Sequence, residues 1–176
     1  MRAWSRGFVA LAMLASLAGL LAFGGVASAG TADANHNYVA VLQSGGEVPP
    51  NAEGSSGIAL FHINSDGQSM DYSVYFWNIT NPRMGHIHLG GPGVNGPVVL
   101  PLFNSTSING NYSGLIASGT ATAKDLTGPL QGKTMDDLFT AMKNGGAYTN
   151  FHTVKLPAGE TRGPVVPNEA LRLGVG

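Results

Sequence analysis

Gly57-Ile58-Ala59-Leu60-Phe61-His62-Ile63, then Asn64-Ser65-Asp66-Gly67-Gln68, then Ser69-Met70-Asp71-Tyr72-Ser73-Val74-Tyr75-Phe76-Trp77-Asn78-Ile79 read as two β-strands with a turn between them. In the second run Met70, Tyr72, Val74 and Phe76 alternate with Asp71, Ser73, Tyr75 and Trp77. That period of two places one set on each face of a strand. The Asp66-Gly67 step is a strong hairpin signal, because glycine enters positive φ without a β-carbon clash. Gly57–Ile63 and Met70–Ile79 therefore predict a hairpin with one buried face and one partly aromatic face.

On the N-terminal side, Asn37–Gln43 alternates as a further strand, closed by Ser44-Gly45-Gly46. Glu47-Val48-Pro49-Pro50 is extended and sits at an edge or in a loop, since proline has no amide hydrogen to give to a ladder. On the C-terminal side, Gly85–Leu89 and Pro97–Phe103 are short strands flanking a glycine turn, and polar Asn104–Gly114 is expected as an exposed loop. Leu115–Lys124, Ala147–Val154 and Glu160–Val166 complete the strands. Thr134–Lys143 is the one helix: Thr134 caps it, Asp136 and Asp137 suit its positive end, and Asn144-Gly145-Gly146 stops it. Its stripe of Met135, Leu138, Phe139 and Met142 packs on the strands. About eight short strands and one short helix predict an all-β chain, an antiparallel β-sandwich.

Residues 1–29 read as a signal peptide: a basic start with Arg2 and Arg6, an apolar run from Phe8 to Phe23, and Ala27-Ser28-Ala29 as the cleavage site. A retained anchor is the rival, because that run approaches the roughly 17 residues that span a bilayer. Residues 30–37 form a flexible start, 38–167 the domain and 168–176 a tail. No membrane span is expected after cleavage, and the chain is expected to be secreted or held at the cell surface. Two of the nine Lys and Arg lie in the leader, so seven face ten Asp and Glu in the remainder. That balance excludes a basic nucleic-acid surface. Without a cysteine there is neither a disulfide framework nor a thiolate metal site.

His86 and His88 stand at i and i+2, so a strand places them on one face with Cα atoms roughly 6.5 to 7 Å apart. That separation lets two imidazoles converge on one ion, with Ile87 turned inward. His152, which shares its strand face with Tyr148 and Asn150, is the third candidate. Three histidines without a thiolate suit copper(II) or zinc, with an open position for water or substrate. The other reading makes His86 and His88 a structural clamp, hydrogen-bonded to carbonyls of the glycine turn. His62 shares its strand face with Ile58 and Leu60 by alternation and is read as a satisfied histidine; His36 falls in the flexible start.

Glu47 can ligate, act as a base or pair with Arg162, and pairing is the favoured reading. Glu160 and Arg162 stand at i and i+2 and are expected in the same network. No nucleophile motif is present, and Gly90-Gly91-Pro92-Gly93 lacks the strand-to-helix context and the Lys of a phosphate loop. No catalytic or cofactor-binding residue is assigned. Sequons at Asn78, Asn104 and Asn111 fit an exported glycoprotein.

With these elements in order, the chain resembles the CHRD domain, a module named after chordin and also found in exported bacterial and archaeal proteins. The resemblance rests on Gly45-Gly46-Glu47-Val48-Pro49-Pro50, Gly85-His86-Ile87-His88, Gly96-Pro97-Val98-Val99 and Asp125-Leu126-Thr127-Gly128-Pro129-Leu130. Met135-Asp136-Asp137-Leu138, Ala147-Tyr148-Thr149-Asn150-Phe151-His152-Thr153 and Gly159-Glu160-Thr161-Arg162-Gly163 follow in the family's order. Gly85 stands where the family usually has Ala, and Thr149 and Phe151 replace the usual Val residues around Asn150. The resemblance implies an Ig-like β-sandwich exported from the cell, with no settled activity. The function expected is a binding module for an extracellular protein, a matrix component or a metal ion. The alternatives are a copper or zinc redox enzyme using His86, His88 and His152, and a structural component of a surface assembly.

Overall fold

The computed structural model describes residues 37–171. The expected signal peptide, residues 30–36 with His36, and residues 172–176 lie outside the described residues. Among the described residues nine strands form: β1 (Asn37–Gln43), β2 (Ser56–Ile63), β3 (Ser69–Thr80), β4 (Pro82–Leu89), β5 (Val98–Asn104), β6 (Asn111–Thr122), β7 (Ala147–Thr153), β8 (Thr161–Pro164) and β9 (Val166–Pro167). One α-helix, α1 (Met135–Lys143), lies between β6 and β7. Among the described residues no helix is long and apolar enough to cross a membrane.

The hairpin forms with antiparallel pairing from Ser56↔Trp77 to Ile63↔Met70. Gly67 takes φ 63°, and the Asp66 carboxylate accepts the backbone N–H groups of Gln68 and Ser69 at 2.8 and 3.0 Å. Met70, Val74 and Phe76 are buried while Trp77 and Tyr75 are 55% and 37% exposed, as the alternation requires. Asn104–Gly114 is only partly loop. Tyr112 pairs with Ile79 and Asn111 with Thr80, so β6 begins inside the expected loop. An edge strand tolerates polar residues on both faces, and two register shifts against β3 let it bend.

The strands hydrogen-bond in the continuous order β5-β4-β7-β8-β1-β2-β3-β6, with β9 added to β1. The two end strands, β5 and β6, come together, so the sheet is nearly closed and barrel-like. This differs from the two-sheet sandwich expected from the strand pattern. Short alternating strands are common to both, and the pairing of distant strands is what separates them. Tyr72 of β3 bridges the seam. Its ring lies over Gly119 of β6, where a β-carbon would fall 3.0 Å from the hydroxyl, and that hydroxyl donates to the Leu102 carbonyl of β5 at 3.2 Å.

Inside the sheet, Phe151 packs edge-on against Phe76 at 4.9 Å and stacks on Phe103 at 5.9 Å. The helix adds Met135, Leu138, Phe139 and Met142 to the same core. Asp137 fastens its first turn by accepting both the N–H and the hydroxyl of Thr134 at 2.9 Å. Burial of each large apolar side chain contributes about 1.5–3 kcal/mol.

β7 is buried at all seven positions. Phe151 faces the core, while Tyr148, Asn150 and His152 point to the opposite face, which connecting loops cover. Tyr148 and the backbone N–H of Gly96 are bonded at 3.1 Å, and Asn95 donates to the Val48 carbonyl at 2.9 Å. Polar side chains are thus enclosed on a face of the sheet that points away from its core.

Candidate metal centre

β4 and β7 are antiparallel neighbours, with His86 opposite Asn150, His88 opposite Tyr148 and Met84 opposite His152. Gly85 and Ile87 turn into the core, leaving His86 and His88 on the covered face. One donor atom from each of His86, His88 and His152 falls within 4.8 Å of the others. The rings of His86 and His152 are 5.1 Å apart, and His86 Nδ1 approaches His152 Nε2 at 3.2 Å.

Two backbone carbonyls set the orientation of the rings. Nδ1 of His88 lies 2.9 Å from the Gly96 oxygen, and Nδ1 of His152 lies 3.0 Å from the Pro157 oxygen. A carbonyl only accepts, so each Nδ1 carries the proton and each Nε2 presents a lone pair. A carbonyl-bound Nδ1–H is the arrangement found behind metal-ligating histidines, and here the Nε2 of His152 faces His86 Nδ1 while that of His88 has no partner. Nε2 of His88 is buried and has no hydrogen-bond partner in the fold. His88 thus combines both readings of the sequence: one nitrogen clamps the glycine turn, and the other is left over.

Burial pushes all three imidazoles below their ordinary pKa. His86 is lowered to about 4 by desolvation and then by the neighbouring His152 and His88. His88 and His152 are also lowered chiefly by desolvation, against the bonds to Gly96 and Pro157 that favour the charged form. Near neutral pH the cluster is uncharged, as metal ligation requires.

A second layer supports the cluster. Tyr148 stacks on His88 at 4.8 Å with 14° between the ring planes, and the Arg162 guanidinium lies 3.9 Å from the Tyr148 centroid. Arg162 and Glu47 approach to 3.4 Å, both almost fully buried. The Arg162 fork also donates to the Val94 carbonyl at 3.2 Å and to Asn95 Oδ1. Glu47 accepts from Asn150 as well. Burial nonetheless raises the Glu47 pKa, with Arg162, Val48 and Asn150 pulling the other way. No carboxylate joins the three-histidine group among the described residues.

Glu160 lies apart from the Glu47–Arg162 pair, against the expectation of one network. Its carboxylate accepts the hydroxyls of Ser55 and Thr153. Strand alternation does not carry Glu160 to the Arg162 face, because β8 begins only at Thr161. His62 is exposed and bonded to Asn37 at 2.9 Å. Asn78, Asn104 and Asn111 are exposed. Sequence reasoning missed Asn95 and assigned Tyr148 only to the His152 face. The stack on His88 and the Asn95–Arg162 bond join segments more than fifty residues apart, beyond any local signal.

The family comparison follows the same elements. The CHRD domain matches residues 38–165, and the chain belongs to that family. No curated protein matches the chain. No solved structure matches it either.

Proposed function

We propose that this chain is an exported CHRD-domain binding module that holds copper or zinc through His86, His88 and His152. The observation that carries the reading is the buried, unpartnered Nε2 of His88, a residue whose donor atom groups with those of His86 and His152 within 4.8 Å. A buried lone pair without a partner costs about 1–3 kcal/mol, and a cation bound there removes that cost. Three neutral imidazoles without a thiolate match the preferences of zinc and copper(II). The leader-like residues 1–29 and the CHRD family support export, and exposed Trp77 and Tyr75 offer a separate face to an extracellular protein or matrix component.

The test is metal analysis of the tag-free chain after loading with copper or zinc and removal of excess. One equivalent is expected in the wild type and a large loss in His88→Ala. A folded wild-type chain that retains no stoichiometric metal would sink the reading. Bound metal without redox or hydrolytic turnover supports the binding module, whereas turnover would make the chain a copper or zinc enzyme.

A further inference from the structure

Met84 lies two residues before His86 on β4, and alternation puts it on the His86 and His88 face while Gly85 and Ile87 turn inward. Across the ladder its direct partner is His152. Opposed residues on neighbouring strands hold their β-carbons about 4.5–5.5 Å apart. Met84 thus flanks two of the three histidines, one along its own strand and one across the ladder. It is 36% exposed and does not belong to the hydrophobic core. Exposure of one methionine needs no explanation by itself. What sets Met84 apart is its register, on the histidine face of β4 and directly opposite His152.

A methionine side chain has three rotatable bonds and a soft, polarizable thioether, so it can follow an ion placed beside it. Thioether sulfur favours copper(I), whereas imidazole serves copper(II) and zinc as well. We infer that Met84 supplies a thioether ligand to copper(I) at the three-histidine site, giving that site a four-ligand set for the reduced ion. The inference rests on the metal reading above and adds the ion and its oxidation state. Met84 is also the more exposed neighbour of the group, at 36% against 8% for both His88 and His152.

The test compares the full wild-type chain with Met84→Leu, a swap of similar volume at a partly exposed position. Copper(I) affinity is measured without oxygen, with ascorbate and a chromogenic copper(I) chelator as competitor; zinc affinity is measured in parallel. Copper(I) affinity is expected to fall about ten-fold or more in Met84→Leu, the scale on which even a supporting interaction alters metal binding, with zinc affinity little changed. X-ray absorption of the copper(I) form is expected to contain a sulfur neighbour that Met84→Leu lacks. Unchanged copper(I) affinity together with no sulfur neighbour in the wild type would overturn the role of Met84 while leaving the histidine site standing. A folded wild type that binds neither copper nor zinc would remove the histidine site, and Met84 with it.

Discussion

Gly85 of β4 and Phe151 of β7 are paired across the ladder so closely that a β-carbon on Gly85 would fall 2.3 Å from Cζ of Phe151. The two positions are sterically coupled: the Phe151 ring occupies the space that a methyl on Gly85 would need and fills the core between Phe76 and Phe103.

Gly85→Ala alone is expected to destabilise the domain by about 1–3 kcal/mol through overpacking. Phe151→Val alone leaves a void and costs about 2–4 kcal/mol, somewhat less than a full Phe→Ala truncation. The double variant is expected to be more stable than the sum of the two by about 1 kcal/mol or more. Urea unfolding of the four proteins measures this, and strict additivity would contradict the coupling.

Gly96 is the hinge between the glycine turn and His88. A β-carbon there would lie 1.5 Å from the Leu89 carbonyl, so Gly96→Ala must displace the turn and with it the oxygen that holds His88 Nδ1. Metal affinity is expected to fall about 10–100-fold, as when an outer-shell partner is lost. Isothermal titration reads the change, and wild-type affinity would show that the turn does not orient His88.

Removing Arg162 leaves Glu47 buried without its cation. Arg162→Ala is expected to cost about 3–5 kcal/mol, and adding Glu47→Gln should recover a substantial part by discharging the buried carboxylate. Thermal and chemical unfolding of the single and double variants test this. No recovery in the double variant would assign the loss to the Tyr148 stack and the Val94 and Asn95 bonds.

Acid should weaken the metal-free fold before the surface carboxylates titrate. The three imidazoles are depressed from the ordinary 6.5, His86 to about 4. Between those values the unfolded chain binds more protons, so stability falls as pH drops from about 6.5 toward 4. Glu47 opposes part of this, because its raised pKa lets the folded state take a proton first. Asp66, Asp71 and Asp137 are lowered, so their contribution is lost only at still lower pH. Unfolding midpoints across this range should decline in the wild type and decline less in His86→Gln; equal slopes would count against burial of a neutral His86.

Much of this was readable along the chain. Alternation in Met70–Trp77, the Asp66-Gly67 turn and the Thr134 cap are decided by sterics and hydrogen bonds within a few residues, and the same rule puts His86 and His88 on one face. The 66-residue step from His86 to His152 is of another kind. So are the division of Glu160 from Arg162, the fit of Phe151 over Gly85, and the closing of β5 toward β6 where a sandwich was expected. Each depends on which distant strands pair and in what register, and a one-residue slip would turn every side chain to the other face. Spacing therefore dictated the strands and the paired histidines, while packing of the whole sheet made them a three-histidine site, because only burial of the shared core selects the register that brings β4 beside β7.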